Sequence, residues 1–218
     1  MSSSGAPVDQ VLTGVRRLLS DPRIYDALQS SLGVDRARKY VCDDIIAANA
    51  GDVVLDVGCG TAEILRHLPP GCRYYGFDLS EAYIAAATQR YQGRQNCSFQ
   101  CADLAAVAAD DLPPCNHAIA YGVLHHLSDD VATRVFAGVY ERLAPGGHMI
   151  AVDPVFVPGQ AFIARQLIQR DRGQHVRTPE AYANLVPGQY SNKSVTVRHD
   201  LLRVPYSLAI TVATKGEQ

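Results

Sequence analysis

The chain has 218 residues, 47% hydrophobic and 19% charged, which is enough for one globular domain with a full core. Its net charge is −2 and its lysines and arginines form no cluster, which argues against nucleic acid as a partner. No apolar run approaches the roughly 20 residues of a membrane span, and the polar N-terminus lacks the apolar segment of a signal peptide, so we expect a cytoplasmic protein without a membrane span.

The first part of the chain is predicted to be helical. Apolar residues at helical spacing predict helices over 8–19, 24–32 and 36–48, with Pro22 and Gly33 between them. We expect these helices to form a cover over residues 1–50.

From residue 53 onward, strand and helix patterns alternate. Strands are predicted at 53–57, 73–77, 98–100, 117–121 and 148–152, and helices at 62–67, 81–90 and 129–143. Ser80 and Ser128 are expected to cap the second and third of these helices. Alternation of this kind predicts an α/β fold, in which helices cover both faces of a parallel sheet.

The last third of the chain changes its pattern. Helices are predicted at 160–172 and 179–185, followed by two closing strands at 195–202 and 206–213. No linker or repeat divides the sequence, which predicts a single domain over 1–218. Within it, residues 51–155 form the cofactor-binding core and 156–218 the substrate side.

Six cysteines are present, and none belongs to a C-x-x-C pair. Their number allows a zinc site or a disulfide framework, but their spacing supports neither. We therefore expect reduced, mostly buried thiols and no metal site.

The chemistry of the core is concentrated where the first two strands end. Asp56, Gly58 and Gly60 follow the first strand, and Asp78 ends the second. Small residues let the backbone approach a ligand closely, and an acid about 20 residues further on can bind a ribose. A glycine turn alone also suits a tight strand-to-helix connection, but the coincidence of these features favours a nucleoside-type cofactor.

Residues 56–61, Asp-Val-Gly-Cys-Gly-Thr, resemble motif I of the class I S-adenosylmethionine-dependent methyltransferases. The third glycine of a dinucleotide-binding turn is absent, because Glu63 stands at its place. Ala62 occupies a position where the methyltransferases often have glycine, and we expect a slightly tighter loop that still binds. The resemblance covers about residues 40–155. It implies a Rossmann-like three-layer sandwich with a mostly parallel seven-stranded sheet and an antiparallel hairpin at one edge.

The same resemblance implies how S-adenosylmethionine is held. The turn after the first strand contacts the methionine part, Asp78 the ribose and Asp103 the adenine amino group, while an arginine of the helical cover meets the carboxylate. The expected cofactor residues are Arg36, Asp56, Gly58, Cys59, Gly60, Thr61, Asp78, Leu79, Ser80, Tyr83, Asp103, Leu104, Tyr121, Gly122 and Val123. Asp103 is alternatively a helix N-cap, and Arg36 part of a solvated helix face. Tyr25 and Tyr40 of the same cover are weaker candidates.

The loop after the fourth strand carries a histidine pair, His125 and His126, within Leu-His-His. Some sugar O-methyltransferases of natural-product pathways have this segment together with a catalytic acid at the end of strand five, where Asp153 stands here. A histidine can take a hydroxyl proton as the methyl group transfers, and a carboxylate can orient its ring. Alternatively, one histidine packs against the following helix or caps it.

A mixed polar run after strand five has two interpretations. It holds an acidic or sugar substrate, or it is a solvated helix end. Its members are Arg165, Arg170, Asp171, Arg172, His175 and Arg177.

The predicted activity is methyl transfer from S-adenosylmethionine to an oxygen or nitrogen of a small molecule, in specialised metabolism, by a monomer or homodimer. No Asn-Pro-Pro-Tyr-type signature follows strand four, which argues against methylation of nucleic-acid amines. Two alternatives stay open: a methyltransferase fold that acts as a cyclase or binding module, and an NAD-dependent dehydrogenase.

Overall fold

The computed structural model of the protein describes residues 32–104, 107, 111–169 and 173–217. The helix predicted over 8–19, nearly all of that over 24–32, and Tyr25 lie outside these residues. So do Arg170, Asp171 and Arg172 of the polar run.

Seven strands form one sheet in the order β3-β2-β1-β4-β5-β7-β6. The strands are β1 (Val53–Val57), β2 (Arg73–Asp78), β3 (Cys97–Cys101), β4 (Cys115–Tyr121), β5 (Leu143–Pro154), β6 (Asn192–Arg198) and β7 (Leu208–Thr214). The first five are parallel, and β7 runs antiparallel to both β5 and β6. The predicted seven-stranded sheet with an antiparallel edge pair is confirmed.

Five α-helices accompany the sheet in the described residues. They are α1 (Val34–Tyr40), α2 (Glu81–Arg90), α3 (Asp129–Arg142), α4 (Phe162–Gln169) and α5 (Pro179–Leu185). A π-helical turn, Val41–Ile46, continues α1 and ends where Ala47 adopts a left-handed conformation. The Ser80 hydroxyl caps α2 by accepting from the Tyr83 amide (3.4 Å), as expected.

Several local predictions are wrong. The helix predicted over 62–67 is a 3₁₀ segment, Glu63–His67, because left-handed Ala62 precedes it and two prolines follow Leu68. Ser128 makes no side-chain capping bond to α3.

The strand bounds also differ from the predictions. Residues 145–147, which the predictions placed between the helix over 129–143 and the strand over 148–152, lie inside β5. This strand begins at Leu143 and pairs with β4 through an irregularity. Gly147 makes this possible, because a Cβ there would lie 2.9 Å from the Ala144 carbonyl and 3.0 Å from two β4 carbonyls. The strand predicted over 195–202 ends at Arg198. The guanidinium of Arg198 donates a hydrogen bond to Asp200, two residues further along the chain.

Alternation along β1 divides the core into two layers. Val53, Leu55 and Val57 pack with α3 and α5 on one face of the sheet, whereas Val54 faces α1, the 3₁₀ segment and α2 on the other. Because side chains alternate, Asp56 projects toward the α1 face. The carboxyl ends of β1 to β5 share one edge of the sheet, so the loops that follow them meet there.

No helix in the described parts of the chain is both long and apolar enough to cross a bilayer.

Candidate active site

The turn after β1 holds three residues in the left-handed backbone region: Gly58 at φ 71°, Gly60 at φ 55° and Ala62 at φ 57°. The amides of Gly58 and Cys59 both donate to the Phe77 carbonyl, at 2.7 and 2.9 Å. The end of β2 therefore fixes the start of the turn. Ala62 adopts a conformation that suits glycine better, which makes this turn strained at its last position.

The two glycines of the turn have different surroundings. A Cβ on Gly58 would lie 2.5 Å from a methyl group of Val123, so this glycine admits the loop after β4. A Cβ on Gly60 would meet nothing within 4 Å. Gly60 thus faces open space, whereas Gly58 serves the packing of two loops. Thr61, next along the turn, is buried, and its carbonyl accepts from Arg90 (2.8 Å).

Asp56 is a buried acid with an unsatisfied oxygen. The Tyr74 hydroxyl donates to its Oδ2 at 2.5 Å, while Oδ1 has no hydrogen-bond partner in the described part of the chain. Burial raises the pKa of Asp56 to about 7, an effect opposed by the hydrogen bond from Tyr74 and strengthened by the charge of Asp78. A buried carboxylate oxygen without a donor fits a cationic or hydrogen-bonding ligand group.

This raised pKa predicts how the ligand-free protein responds to pH. The folded protein holds the Asp56 proton more tightly than the unfolded chain, where the pKa is 3.8, so the bound proton stabilises the fold. This contribution to the free energy of unfolding is complete below about pH 4. It is lost as the pH rises to about 7, by roughly 4 kcal/mol at most. Residue 56 stays neutral in Asp56→Asn. The melting temperature of this variant minus that of the wild type should therefore be higher at pH 8 than at pH 5.

Thermal unfolding of both proteins at the two pH values tests this expectation. The exposed Asp44 provides the control, since Asp44→Asn should track the wild type at both. A constant difference between Asp56→Asn and the wild type would show that Asp56 does not titrate in this range.

Asp78 connects the glycine turn to α2. Its Oδ2 accepts from the Gly60 amide at 2.9 Å, and its Oδ1 accepts from the Ser80 amide at 2.8 Å. Leu79 beside it is 77% exposed, an unusual environment for a large apolar side chain. Asp78, expected at the ribose, and Leu79, also expected to contact the cofactor, therefore border the same open edge, and partly buried Tyr83 lies one turn further on.

The loop after β3 places its two predicted residues differently. Asp103 is exposed, whereas Leu104 is buried in the core. The Leu104 carbonyl accepts from the Arg142 guanidinium at 3.2 Å, which anchors this loop to α3. Residues 105 and 106 lie outside the described part, so the alternative interpretation of Asp103 as a helix cap stays a prediction.

Arg38, rather than Arg36, lines the recess beside the glycine turn. Arg38 lines a small recess of about 30 Å³ together with Asp56 and Tyr121, and its guanidinium carbon lies 5.6 Å from the Tyr121 ring centroid. Arg36 is exposed, and the pKa of Asp200 in the loop before β7 is lowered chiefly by the hydrogen bond from Arg198, with a smaller effect from the charge of Arg36. Tyr40 instead packs beneath the Arg198 guanidinium, 4.3 Å from the ring centroid.

The loop after β4 brings the predicted histidine toward β5. The Gly122 amide donates to the Val152 carbonyl at 2.7 Å, and Val123 then leads into the 3₁₀ turn Leu124–His126. His125 is buried, with its Nδ1 2.7 Å from Asp153 Oδ1. The backbone amide of His125 donates to the same oxygen at 3.1 Å.

The hydrogen bonds around Asp153 define the state of the His125 ring. Asp153 Oδ1 already accepts from the His125 backbone amide, so the geometry favours the tautomer in which Nδ1 also donates to that oxygen. Asp153 is 1% exposed, and its Oδ2 has no hydrogen-bond partner in the described residues. His125 and Asp153 are therefore a buried, hydrogen-bonded pair.

Two glycines flank the His125 ring. A Cβ on Gly122 would lie 3.8 Å from Cε1, and a Cβ on Gly173 would lie 2.0 Å from Cδ2, so only glycine fits at position 173. His126 is exposed, and its ring centroid lies 4.0 Å from that of His125. The contact with the Asp153 carboxylate is made by His125.

The place of Arg177 in the polar run predicted either a substrate ligand at the surface or part of a solvated helix end. The structure shows neither. Arg177 is buried and donates to the carbonyls of Leu124, Leu127 and His175, and to the Asp129 carboxylate. Arg165 of the same run lies over the Phe156 ring, 5.4 Å from its centroid. Of the described members of the run, Arg165 is exposed and Arg177 is buried, so these two do not share one surface.

The strand order with its antiparallel edge pair, and the glycine turn facing two strand-end acids, define a Rossmann-like methyltransferase fold. A family profile described as "Methyltransferase domain" matches residues 55–149. Residues 55–149 are therefore similar to a methyltransferase domain, and the chain has the fold of S-adenosylmethionine-dependent methyltransferases of known structure.

Among curated proteins, the chain is 26% identical over 179 residues to an mRNA cap guanine-N(7) methyltransferase of Candida glabrata. That match covers 75% of this chain and 42% of the relative, so the chain spans less than half the length of that enzyme.

Two solved structures have the same fold. Human N-acetylserotonin methyltransferase in complex with S-adenosylmethionine superposes with a TM-score of 0.70 at 18% identity, over 97% of this chain and 60% of that one. Magnesium protoporphyrin IX methyltransferase of Synechocystis, with bound S-adenosylhomocysteine, gives 0.63 at 17% identity, over 87% of each chain.

Proposed function

We propose that the protein transfers the methyl group of S-adenosylmethionine to an oxygen of a small-molecule acceptor, with His125 as the base and Asp153 as the acid that orients it. The buried His125–Asp153 pair, at the strand ends beside the glycine turn, is the observation that carries this proposal. A hydroxyl acceptor must lose a proton as the new bond forms, whereas a neutral amine has a lone pair already available. A built base therefore favours a hydroxyl.

The residues at the edge of the sheet fit the cofactor. Its methionine part carries an ammonium and a carboxylate, and the recess beside the glycine turn offers the partnerless oxygen of Asp56 and the guanidinium of Arg38. The open space at Gly60 leaves room for a ligand against the backbone. The cofactor supplies an activated methyl group on sulfur. The protein holds the reacting atoms in line and accepts the proton.

The proton path follows from the hydrogen bonds of the pair. Asp153 Oδ1 binds both the backbone amide and Nδ1 of His125, which fixes the position and the tautomer of the ring. Nε2 then accepts the acceptor's hydroxyl proton, and the carboxylate stabilises the imidazolium that forms.

A surface cleft lies beyond the end of β5, and neither His125 nor Asp153 lines it. It has a volume of about 270 Å³ and is lined by apolar Val157 and Ala164 and by polar Gln160, His199 and Tyr206. An RNA strand needs an extended basic groove, and this chain has a net charge of −2. The six cysteines are free thiols, which supports a reducing, cytoplasmic location and thus a place in specialised intracellular metabolism.

The relationship to an RNA methyltransferase makes RNA the competing acceptor class. Incubation with methyl-tritiated S-adenosylmethionine and two fractions of a cell extract, one of small metabolites and one of total RNA, separates the two. We expect label in the metabolite fraction only. The labelled compound should not react with amine-specific reagents at the methylated atom. Label in RNA would reject the small-molecule acceptor, and no label in either fraction would favour a cyclase or binding module.

Asp78 provides a test of cofactor binding that needs no acceptor. Asp78→Ala removes a charged acceptor from the ribose diol and releases the Gly60 amide, so affinity for S-adenosylhomocysteine should fall by about 1.5–3 kcal/mol. Asp78→Asn keeps one acceptor oxygen and should lose less. Calorimetry measures both, and an unchanged affinity of Asp78→Ala would remove Asp78 from the cofactor site.

A further inference from the structure

Arg177 occupies the space behind the His125 turn. Its side chain is 7% exposed, and its Nη1 donates to the Leu124 carbonyl at 2.8 Å, while Nη2 donates to the Leu127 carbonyl at 2.6 Å. These carbonyls flank His125 and His126 on both sides. A 3₁₀ turn of three residues has too few internal hydrogen bonds to hold its own shape, so its position depends on such outside donors.

The same arginine connects the turn to the strand that carries Asp153. The Arg177 carbonyl accepts from the Phe156 amide at 3.0 Å, and residue 177 forms a parallel bridge with Val155 just beyond β5. The guanidinium also lies over the Tyr182 ring, whose hydroxyl donates to the Pro154 carbonyl at 2.8 Å. Arg177 therefore contacts the turn that carries His125 and also the segment that directly follows Asp153.

The chemistry of the side chain suits this task. A guanidinium has five donors in a rigid plane, enough to bond several carbonyls and the Asp129 carboxylate at once. An ammonium has three donors on a flexible stem and cannot reach the same set of acceptors.

We propose that Arg177 is the positioning residue of the active site, because it holds the Leu124–His126 turn at the distance that lets His125 Nδ1 bond Asp153. Its effect on turnover rests on the proposed function, but its effect on the His125 ring does not.

Arg142 offers a matched control within the same fold. It is also buried, and its guanidinium also donates to backbone carbonyls, those of Gly138, Leu104 and Val107. It anchors the loop after β3 instead of the histidine turn. Loss of either arginine removes comparable bonds, so a general loss of packing should affect both variants alike.

The experiment compares Arg177→Met, Arg177→Lys and Arg142→Met in full-length protein labelled with ¹⁵N-histidine. Long-range ¹H–¹⁵N spectra report which ring nitrogen carries the hydrogen, and the His125 signal is assigned by its loss in His125→Ala. We expect the Nδ1–H form in the wild type and a shift of at least about tenfold toward Nε2–H in Arg177→Met. Its affinity for S-adenosylhomocysteine should stay within about twofold of the wild type. Arg142→Met should weaken that affinity and leave His125 unchanged.

A wild-type tautomer ratio in folded Arg177→Met overturns the proposal, as does an equal shift in Arg142→Met. If Arg177→Met does not fold, Arg177→Lys decides, with an intermediate ratio expected and a wild-type ratio contradicting the proposal. A shifted ratio with unchanged methyl transfer would reject His125 as the base while leaving Arg177 as the residue that positions it.

Discussion

His125→Ala should lower methyl transfer by about 10²–10⁴ while leaving the affinity for the cofactor nearly unchanged. The structure gives the reason for both halves of this expectation. His125 is the histidine that contacts Asp153, whereas the recess proposed for the cofactor is lined by α1, by the end of β1 and the residues after it, and by Tyr121, but not by His125. Single-turnover rates and calorimetry on the same protein preparation measure the two quantities.

His126→Ala is the matched control for that variant. His126 is exposed and adjacent, so its removal should cost far less turnover. Asp153→Asn keeps an oxygen that can accept from Nδ1 but loses the charge that stabilises the imidazolium, so its effect should be smaller than that of His125→Ala. If turnover survives loss of both histidines together, no histidine base operates, and an amine becomes the better acceptor.

The strands and the motif at their ends were accessible from the sequence. Buried parallel strands are apolar runs ended by turn residues, and the acids and glycines at 56–60 and 78 follow two of them directly. Their placement on one edge of the sheet needs only parallel topology. The contact between His125 and Asp153 was likewise expected, because both follow neighbouring strands.

The arginine of the helical cover shows where this reasoning stops. Arg36 and Arg38 are separated by two positions, about 200° around a helix, so at most one of them faces the cofactor edge. Which one does so depends on the phase of α1 against the 3₁₀ segment. Ala37 and Val41 set that phase by packing into the core. The phase is a tertiary property, and helical periodicity over 36–48 did not define it.

The contacts that Gly173 and Arg177 make with the histidine turn were not predicted, for a related reason. Their partners lie about 50 residues earlier in the chain, in the 3₁₀ turn around His125. A glycine in a polar run predicts a turn, and an arginine there predicts exposure; neither pattern reveals a close approach to a distant ring. A run of six polar residues was treated as one surface, whereas the structure buries Arg177 and exposes Arg165.

Gly60→Val should abolish cofactor binding, with affinity at least about 100-fold weaker, while most of the fold persists. Gly60 has a φ of 55°, and its missing Cβ would meet nothing within 4 Å, so valine adds backbone strain and fills the space against which the cofactor is expected to lie. Strain alone costs about 1–3 kcal/mol of stability and does not by itself remove a binding site. The two effects therefore need a control that shares the first and lacks the second.

Gly93→Val is that control. Gly93 has a φ of 91°, its Cβ position is also open, and it lies in the turn after α2, outside the loops that meet at the cofactor edge. Both variants should melt earlier than the wild type by similar amounts. Calorimetry with S-adenosylhomocysteine should show wild-type affinity for Gly93→Val and none for Gly60→Val. Wild-type affinity in folded Gly60→Val would mean that the turn after β1 serves the fold alone, and the cofactor would have to bind elsewhere.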